Sequence, residues 1–431
     1  MNKYFTICLL LLTLTGNAQS FFGLQHDNYA GVNAILSNPA NIVDSRFRSD
    51  INLFSGDINF SNSYYSFTLQ ELFDGQYDTQ DNSSNTSGPH SLYTKVDYLG
   101  PSFMFNVSKN QSLAFSTRLR VIGHITQLDG NLINSINDND AFGNYSISNQ
   151  NFSIASNSWA EIGATYARVL ADKKMHFLKG GISLKYVYGL NTGFVKANNL
   201  SVQFNDFNNT YTTTGSVEVG NTNSFDDVKD PFDNQGAGFG ADIGFTYEYR
   251  SESRMQTSKG SNKYLYRLGF SILDIGYLTY NDAKVDTYSA NATITESQFE
   301  NESFDSFYTR TSTTNKINVS LPTSANVNLD WSMSSRLFLN VNTSLSLVKN
   351  TNVNSNYIAN NVSVTPRFES KWLSIYLPFS YLKYAGFQSG FGLRMGPLFV
   401  GSGSVINGLL GKTKAVDVNF GLKIPIFYGK K

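Results

Sequence analysis

The chain has 431 residues, of which only 15% are charged and 14% aromatic. Its 33 basic and 33 acidic residues cancel, which excludes a strongly basic nucleic-acid binder and an acidic tail protein. An average soluble domain carries roughly 25% charge, and no apolar run of about 20 residues follows the start to make a membrane-spanning helix; a secreted all-β protein and an outer-membrane β-barrel are the two classes that remain.

Lys3 followed by the apolar stretch Phe5 to Leu14 and the small-residue site Gly16-Asn17-Ala18 reads as a secretory signal peptide over residues 1–18. Cleavage is expected after Ala18. Cys8, the single cysteine, would leave with it, so neither disulfides nor thiol chemistry are expected. Residues 19–47 do not read as a strand. Val32, Ile35 and Leu36 have a short helical spacing, and Asn38-Pro39 should stop it, because the residue before proline avoids the α region. The segment is too apolar for a free tail, so it is expected to sit in a barrel mouth as a hatch.

From 48 to 431 the pattern is strand. Leu113, Phe115, Leu119 and Val121 alternate with Ser112, Ser116, Arg118 and Arg120. Phe239, Ile243, Phe245, Tyr247 and Tyr249 alternate with Asp242, Thr246 and Glu248. The runs 336–347 and 415–426 behave the same way. Successive side chains of a strand point to opposite faces, so each run has one apolar and one hydrophilic face. A tilted strand needs about 9–11 residues to cross a bilayer, whereas soluble strands average about 5–6. The runs here are of the longer kind. Tight connections at 108–111, 169–175, 332–335 and 369–371 alternate with long polar stretches at 61–94, 122–156, 191–235 and 276–315. Short periplasmic turns and long extracellular loops have this asymmetry. The expected strands are 50–60, 95–107, 112–121, 157–168, 176–190, 236–249, 264–275, 316–331, 336–347, 359–368, 372–382, 386–395, 397–403 and 415–426, about 14 in all. Residues 198–219 read either as a hairpin within a loop or as two further spanning strands.

This register turns Arg118, Arg120, Asp242, Glu248, Asp330 and Arg394 toward the lumen. They read as a salt-bridged filling or as a selectivity lining. Trp331 and Trp372 flank short turns and Trp159 follows a long loop, so all three are expected in interfacial aromatic belts. The glycine-rich stretches 236–244 and 386–392 suggest kinks or close approaches. Catalytic chemistry is not expected: there is no Gly-x-Ser-x-Gly elbow. His26, His90, His124 and His176 lack metal-ligand spacing. The acidic groups Asp226, Asp227, Asp230 and Asp233, and Asp138 with Asp140, match no full calcium loop. No metal or cofactor is expected.

Asn38-Pro39-Ala40-Asn41 resembles the motif that opens FadL-like barrels, the long-chain fatty-acid transporter superfamily. The fuller pattern, from Tyr29 through Ile42 to Asp50-Ile51-Asn52, with Leu393 to Gly401 and Asp417 to Pro425 at the far end, is similar to uncharacterised outer-membrane proteins of Bacteroidota. The resemblance implies a 14-stranded all-β transmembrane barrel with an N-terminal plug at Asn38, Pro39, Ala40 and Asn41, placed in the bacterial outer membrane. It also implies a channel for uptake of hydrophobic small molecules. The alternative is a non-transporting scaffold in a secretion or surface assembly, since the resembling superfamily includes a barrel that shuttles cargo in type IX secretion. The expected partners are outer-membrane lipid, a hydrophobic ligand, or a protein bound at the extracellular loops.

Overall fold

The computed structural model describes residues 23–74, 88–137, 145–222, 236–252, 262–349 and 353–428. The signal-peptide region and both acidic loops, including Asp138, Asp140 and Asp226 to Asp233, lie outside the described residues.

Fourteen antiparallel spans close on themselves. They are β1 (Phe47–Asn62), β2 (Pro89–Leu99, resuming at Ser102–Asn106), β3 (Gln111–Asp129), β4 (Ser153–Lys173), β5 (His176–Asn205), β6 (Gly236–Tyr249) and β7 (Tyr266–Ser289). The second half is β8 (Thr309–Ser320, resuming at Ser324–Ser332), β9 (Leu337–Ser346), β10 (Asn361–Glu369), β11 (Leu373–Tyr376 with Phe379–Leu382), β12 (Gly386–Ser389 with Phe391–Met395), β13 (Leu398–Ser402) and β14 (Ala415–Phe427). Each pairs with the next, and β14 pairs with β1 from Phe47–Phe427 to Ser61–Ala415. Closure leaves no free edge in the wall, the condition for a sheet to stand in lipid.

Interruptions within a span have local causes. Three fall at Pro101, Pro322 and Pro378, which donate no ladder hydrogen bond. At Gly390, between the halves of β12, a Cβ would lie 2.0 Å from the Ser402 carbonyl oxygen, so only glycine fits there. The other glycine-rich stretch behaves differently: β6 pairs with β5 without a register shift. The irregularity is on β7, which bulges between Ile272 and Ile275, with Asp274 at φ 56°.

The alternation of each span decides what faces outward. Ile51, Phe103, Ile162, Ile182, Ile243, Phe245, Leu268, Phe270, Leu329, Phe420 and Ile424 all stand exposed on the outer wall. Their neighbours Asp57, Asp97, Glu161, Asp242, Asp330 and Lys423 are buried inside. Such an inversion, with apolar groups exposed and charges buried, suits a hydrocarbon surround. Trp331 and Trp372 stand outward at the turn end, against Tyr266 and Phe427 respectively.

The strands reach further into the expected loops than the sequence suggested. β5 runs on to Asn205 and returns as Thr210–Asn221, which pairs with both β5 and the upper part of β7. Residues 198–219 are therefore sheet raised above the wall, not added spans. On the other flank of β7, Thr309–Lys316 is exposed on both faces.

The outer face generates a prediction. Ile182→Arg places a charge on the lipid side, at a depth where such substitutions cost about 2–4 kcal/mol. Urea unfolding in bilayers is expected to show that loss, and Ser183→Ala, on the inner face beside it, is expected to lose less.

Candidate functional site: the lumen

The inward faces build three layers. The lowest, toward the short turns, holds the N-terminal segment. Three 3-10 turns, Leu24–His26, Gly31–Leu36 and Pro39–Ile42, lead into β1. The expected stop before Pro39 occurs, and the same proline then opens the next turn. Asn38 is extended and its side chain accepts from the Ala40 amide, so Asn38 caps the turn that Pro39 begins.

The Asn38-Pro39-Ala40-Asn41 motif seats this turn on bare backbone. Asn38 Nδ2 donates to the carbonyls of Phe245 and Phe270 on adjacent spans, at 3.0 and 3.2 Å. Thr246 Oγ1 donates to Asn41 Oδ1 at 2.9 Å. Pro39 and Ala40 rest on Gly181, where a Cβ would come within 2.5 Å of the Pro39 carbonyl carbon. At Gly244 it would come within 2.2 Å of Asn38 Oδ1. The rest of the segment is held at points right around the wall. Asp27 pairs with Arg394 at 3.1 Å and accepts from the Tyr376 hydroxyl. Asn28 donates to Glu369 at 2.7 Å. Arg267 donates to the His26 carbonyl at 2.7 Å, and the Val32 amide donates to Asp50 at 2.9 Å. Lys423 donates to the Tyr29 and Ala30 carbonyls, Lys179 to that of Val43, and Arg250 pairs with Asp44. Partners on β1, β5, β6, β7, β10, β11, β12 and β14 put the segment inside the barrel. Val32, Ile35, Ile42 and Val43 add an apolar contact with Met104, Ala114 and Ala167.

The middle layer is charge. Asp57, Lys95, Asp97, Arg118, Glu161, Arg120, Asp274, Lys185 and Asp242 run as one chain of ion pairs across β1 to β7. The closest contacts include Arg118–Asp97 at 2.5 Å and Lys185–Asp274 at 2.6 Å. Nearer the turns, Asp330 lies between Arg267 and Arg367, and Glu248 between Lys179 and Arg250. A buried charge is tolerated where it is paired and hydrogen-bonded. Arg118, Arg120, Asp242, Glu248, Asp330 and Arg394 thus all sit on the inner face, each with an oppositely charged partner. Small polar gaps remain; one, lined by Gln25, Asn59, Lys95, Arg118 and Asp274 among others, has a volume of about 50 Å³.

The upper layer, toward the loops, is apolar. Tyr93, Ile122, Val187, Phe194, Leu278, Tyr280, Ile317 and Val319 converge with Trp159. The expectation for Trp159 is corrected here. Its ring is fully buried, with the indole N–H donating to Glu161 at 2.6 Å and Arg120 stacked 5.0 Å from the ring centre. β4 begins at Ser153, and Trp159 shares the inward parity of Asn157 and Glu161. The inward-folded stretch 353–360 roofs this layer with Val353, Tyr357 and Ala359. It is tied to β8 through Ser320, which donates its amide to Asn354 and accepts from Asn356, both at 3.2 Å. Nothing in the sequence pattern announced this roof.

No curated protein matches this sequence. A family model, described as a family of unknown function (DUF5723), matches residues 39–403. The chain belongs to that family. The match begins at Pro39, inside the motif that docks the N-terminal segment. Among solved structures, the chain is similar to the toluene transporter TbuX of Ralstonia pickettii, with 11% identity, coverage of 93% of this chain and 95% of that one, and a TM-score of 0.45. It is likewise similar to the toluene transporter TodX of Pseudomonas putida (12% identity, 95% and 99% coverage, TM-score 0.45). A FadL homologue of Pseudomonas aeruginosa gives 10%, 95% and 96%, and 0.45. The fold assignment rests on the strand pairing itself.

Two groups of the N-terminal segment make its docking pH-dependent. Burial, with Arg367 and Arg267 close by, pushes His26 from 6.5 down to about 3. Burial raises Asp27, but Arg394 and the Tyr376 hydroxyl outweigh it and hold the carboxyl at about 2, below its ordinary 3.8. Both groups take up protons more readily once the segment leaves the lumen. These two groups leave docking unchanged above about pH 6.5. It is expected to weaken as pH falls below that value, by about 2 kcal/mol at pH 5 from His26 alone. Below about pH 4 Asp27 adds to the loss. Protease nicking of residues 24–43 in the folded barrel is expected to speed up between pH 7 and pH 5, and His26→Gln is expected to flatten that change.

Proposed function

We propose that this protein is an outer-membrane channel, closed at rest, for hydrophobic small molecules, with residues 23–46 as its hatch and β1 to β14 as its wall. The observation that carries the reading is the layering of the lumen. A close-packed, mainly apolar layer faces the loops, and a separate segment, held by hydrogen bonds and ion pairs rather than by the sheet ladder, fills the turn end. Inside the wall, a segment held this way can undock without unzipping a strand. Short turns and both ends of the barrel chain share one side, which supports a periplasmic turn end and an extracellular loop end.

The ion-paired layer between this upper layer and the hatch opposes straight passage of an apolar molecule, because each separated pair would leave buried charge unpartnered. A way out through the wall avoids that cost. The bulge of β7 faces the Pro322 break of β8, and the gap is bridged by the Leu321 amide on the Gly276 carbonyl and by Thr323 Oγ1 on the Asp274 carbonyl. Widening there would lead from the upper layer to lipid. The exposed apolar belt supports outer-membrane lipid as the surrounding medium.

A second reading is a non-transporting scaffold. The sheet raised above the wall favours it, since Thr309–Lys316 offers both faces to a protein partner.

Removing residues 23–44 from the mature barrel is expected to raise single-channel conductance in planar bilayers from near zero to steady openings. Unchanged conductance would sink the hatch. A barrel that stays closed, retains no small molecule in native mass spectrometry and carries a stoichiometric second polypeptide would favour the scaffold.

A further inference from the structure

One span of the wall is too short to cross a bilayer as a strand. β13 (Leu398–Ser402) has 5 residues, where a tilted strand needs about 9–11. Its ladder with β12 ends at Phe391–Ser402, and its ladder with β14 ends at Gly401–Asn419. Above that level two short helices, α1 (Leu69–Asp74) and α2 (Val405–Leu410), pack together, and α2 touches both the upper half of β12 and the top of β14. Asn407 of α2 serves the edge of β12 as a strand would. Its side chain donates to the Phe387 carbonyl at 3.0 Å and accepts from the Ser389 amide at 2.7 Å. On the other flank Asp417 of β14 accepts from the Gly403 amide at 2.6 Å, which secures the entry to α2. Water could serve a sheet edge without such help, but in lipid each backbone group needs a partner from the protein. α2 is thus built as a piece of the wall. It lies at the height of Phe387, which stands outward in the apolar belt beside Phe379.

Both helices carry exposed apolar side chains. Phe73 is 86% exposed, Leu410 85% and Leu409 70%. The helices meet where Leu69 packs on Gly408, so closely that a Cβ at Gly408 would lie 2.6 Å from Leu69 Cγ. Gln70, Glu71, Asp74 and Lys412 fall among or just beyond the apolar residues in sequence, the mixture of a segment that lies in a membrane interface. Contiguous exposed apolar groups mark an interaction surface. Continuity with the belt decides what covers this one, since Phe387 on one side of α2 and Val400 below it are exposed on the outer wall. We propose that α1 and α2 lie in the leaflet at the loop end of the barrel, with lipid acyl chains over Phe73, Leu409 and Leu410. They form an interfacial anchor that completes the wall above β13. This rests on the outer-membrane reading above and goes beyond it, by giving one flank of the loop end to lipid rather than to water or a protein partner. Phe207 supplies the contrast. It is 94% exposed, but at the tip of the raised hairpin, between the exposed polar residues Asp206 and Asn208.

The only cysteine, Cys8, lies in the region read as the signal peptide, so the mature chain can carry one label at a chosen site. An environment-sensitive NBD fluorophore is placed by Phe73→Cys, Leu410→Cys, Phe207→Cys and, on the belt, Ile182→Cys, each in lipid nanodiscs. Quenching is read with nitroxide-bearing lipids and with aqueous iodide. The labels at 73 and 410 are expected to emit to the blue of the label at 207 and to be quenched by a lipid nitroxide near the headgroup. Their iodide quenching is expected to be severalfold weaker than at 207. The label at 182 is expected to respond to a nitroxide deep in the acyl chain. Heat-dependent gel mobility checks the folding of each variant, and should one helix site not fold, the other decides. Iodide access at 73 or 410 equal to that at 207, with 182 still quenched from the lipid, would overturn the anchor and leave the outer-membrane reading standing. Protection from iodide without lipid quenching would mean that a second copy of the chain covers the patch, and would overturn the anchor as well. A label at 182 open to iodide would overturn both.

Discussion

A span that gives its apolar face to lipid must turn its polar face inward, and every charge placed there needs a partner. The rest of this structure depends on that constraint. The chain meets it twice. Across β1 to β7, cations and carboxylates alternate along one chain of ion pairs. Around the turn end, Asp50, Glu369, Arg267, Arg394 and Lys423 find partners on the N-terminal segment. The segment is thus part of the wall's electrostatics. Removing it would strip Arg394 of Asp27 and Lys423 of two carbonyls. That is why so short a stretch, with little regular structure of its own, holds a fixed position.

The same constraint explains the motif at 38–41. Proline and a capping asparagine make a compact turn with few groups of its own left to satisfy. The spare asparagine amide then bridges carbonyls on two spans. Glycine at 181 and 244 lets the turn lie against backbone. A larger side chain at either position would lift the turn off its seat, so motif and glycines form one contact read from its two sides.

Much of the wall was legible in the sequence because alternation is strong wherever one face meets lipid. The inward parity of Arg118, Asp242 and Asp330 follows directly from it. Above the membrane the signal fades: Thr309–Lys316 has water on both faces, so its residues up to 315 were read as loop, and 198–219 stayed open between a hairpin and two further spans. Trp159 was misplaced for a related reason. Its strand starts four residues earlier than the pattern showed, and an aromatic near a loop was taken for an interfacial one. The pairing of Asp27 with Arg394 joins residues more than 360 positions apart, and the inward fold of 353–360 follows from its fit to the upper layer; local sequence carries neither.

The central claim is that residues 24–43 are docked inside the closed barrel by buried polar contacts. Amide hydrogen exchange on the mature protein in lipid measures this directly. The account predicts that the amides of Val32 and Ala40, which donate to Asp50 and Asn38 inside the lumen, exchange far more slowly than those of a free peptide. It also predicts that their protection falls as the pH drops from 7 to 5, after correction for intrinsic rates. Exchange at free-peptide rates at pH 7 would contradict it.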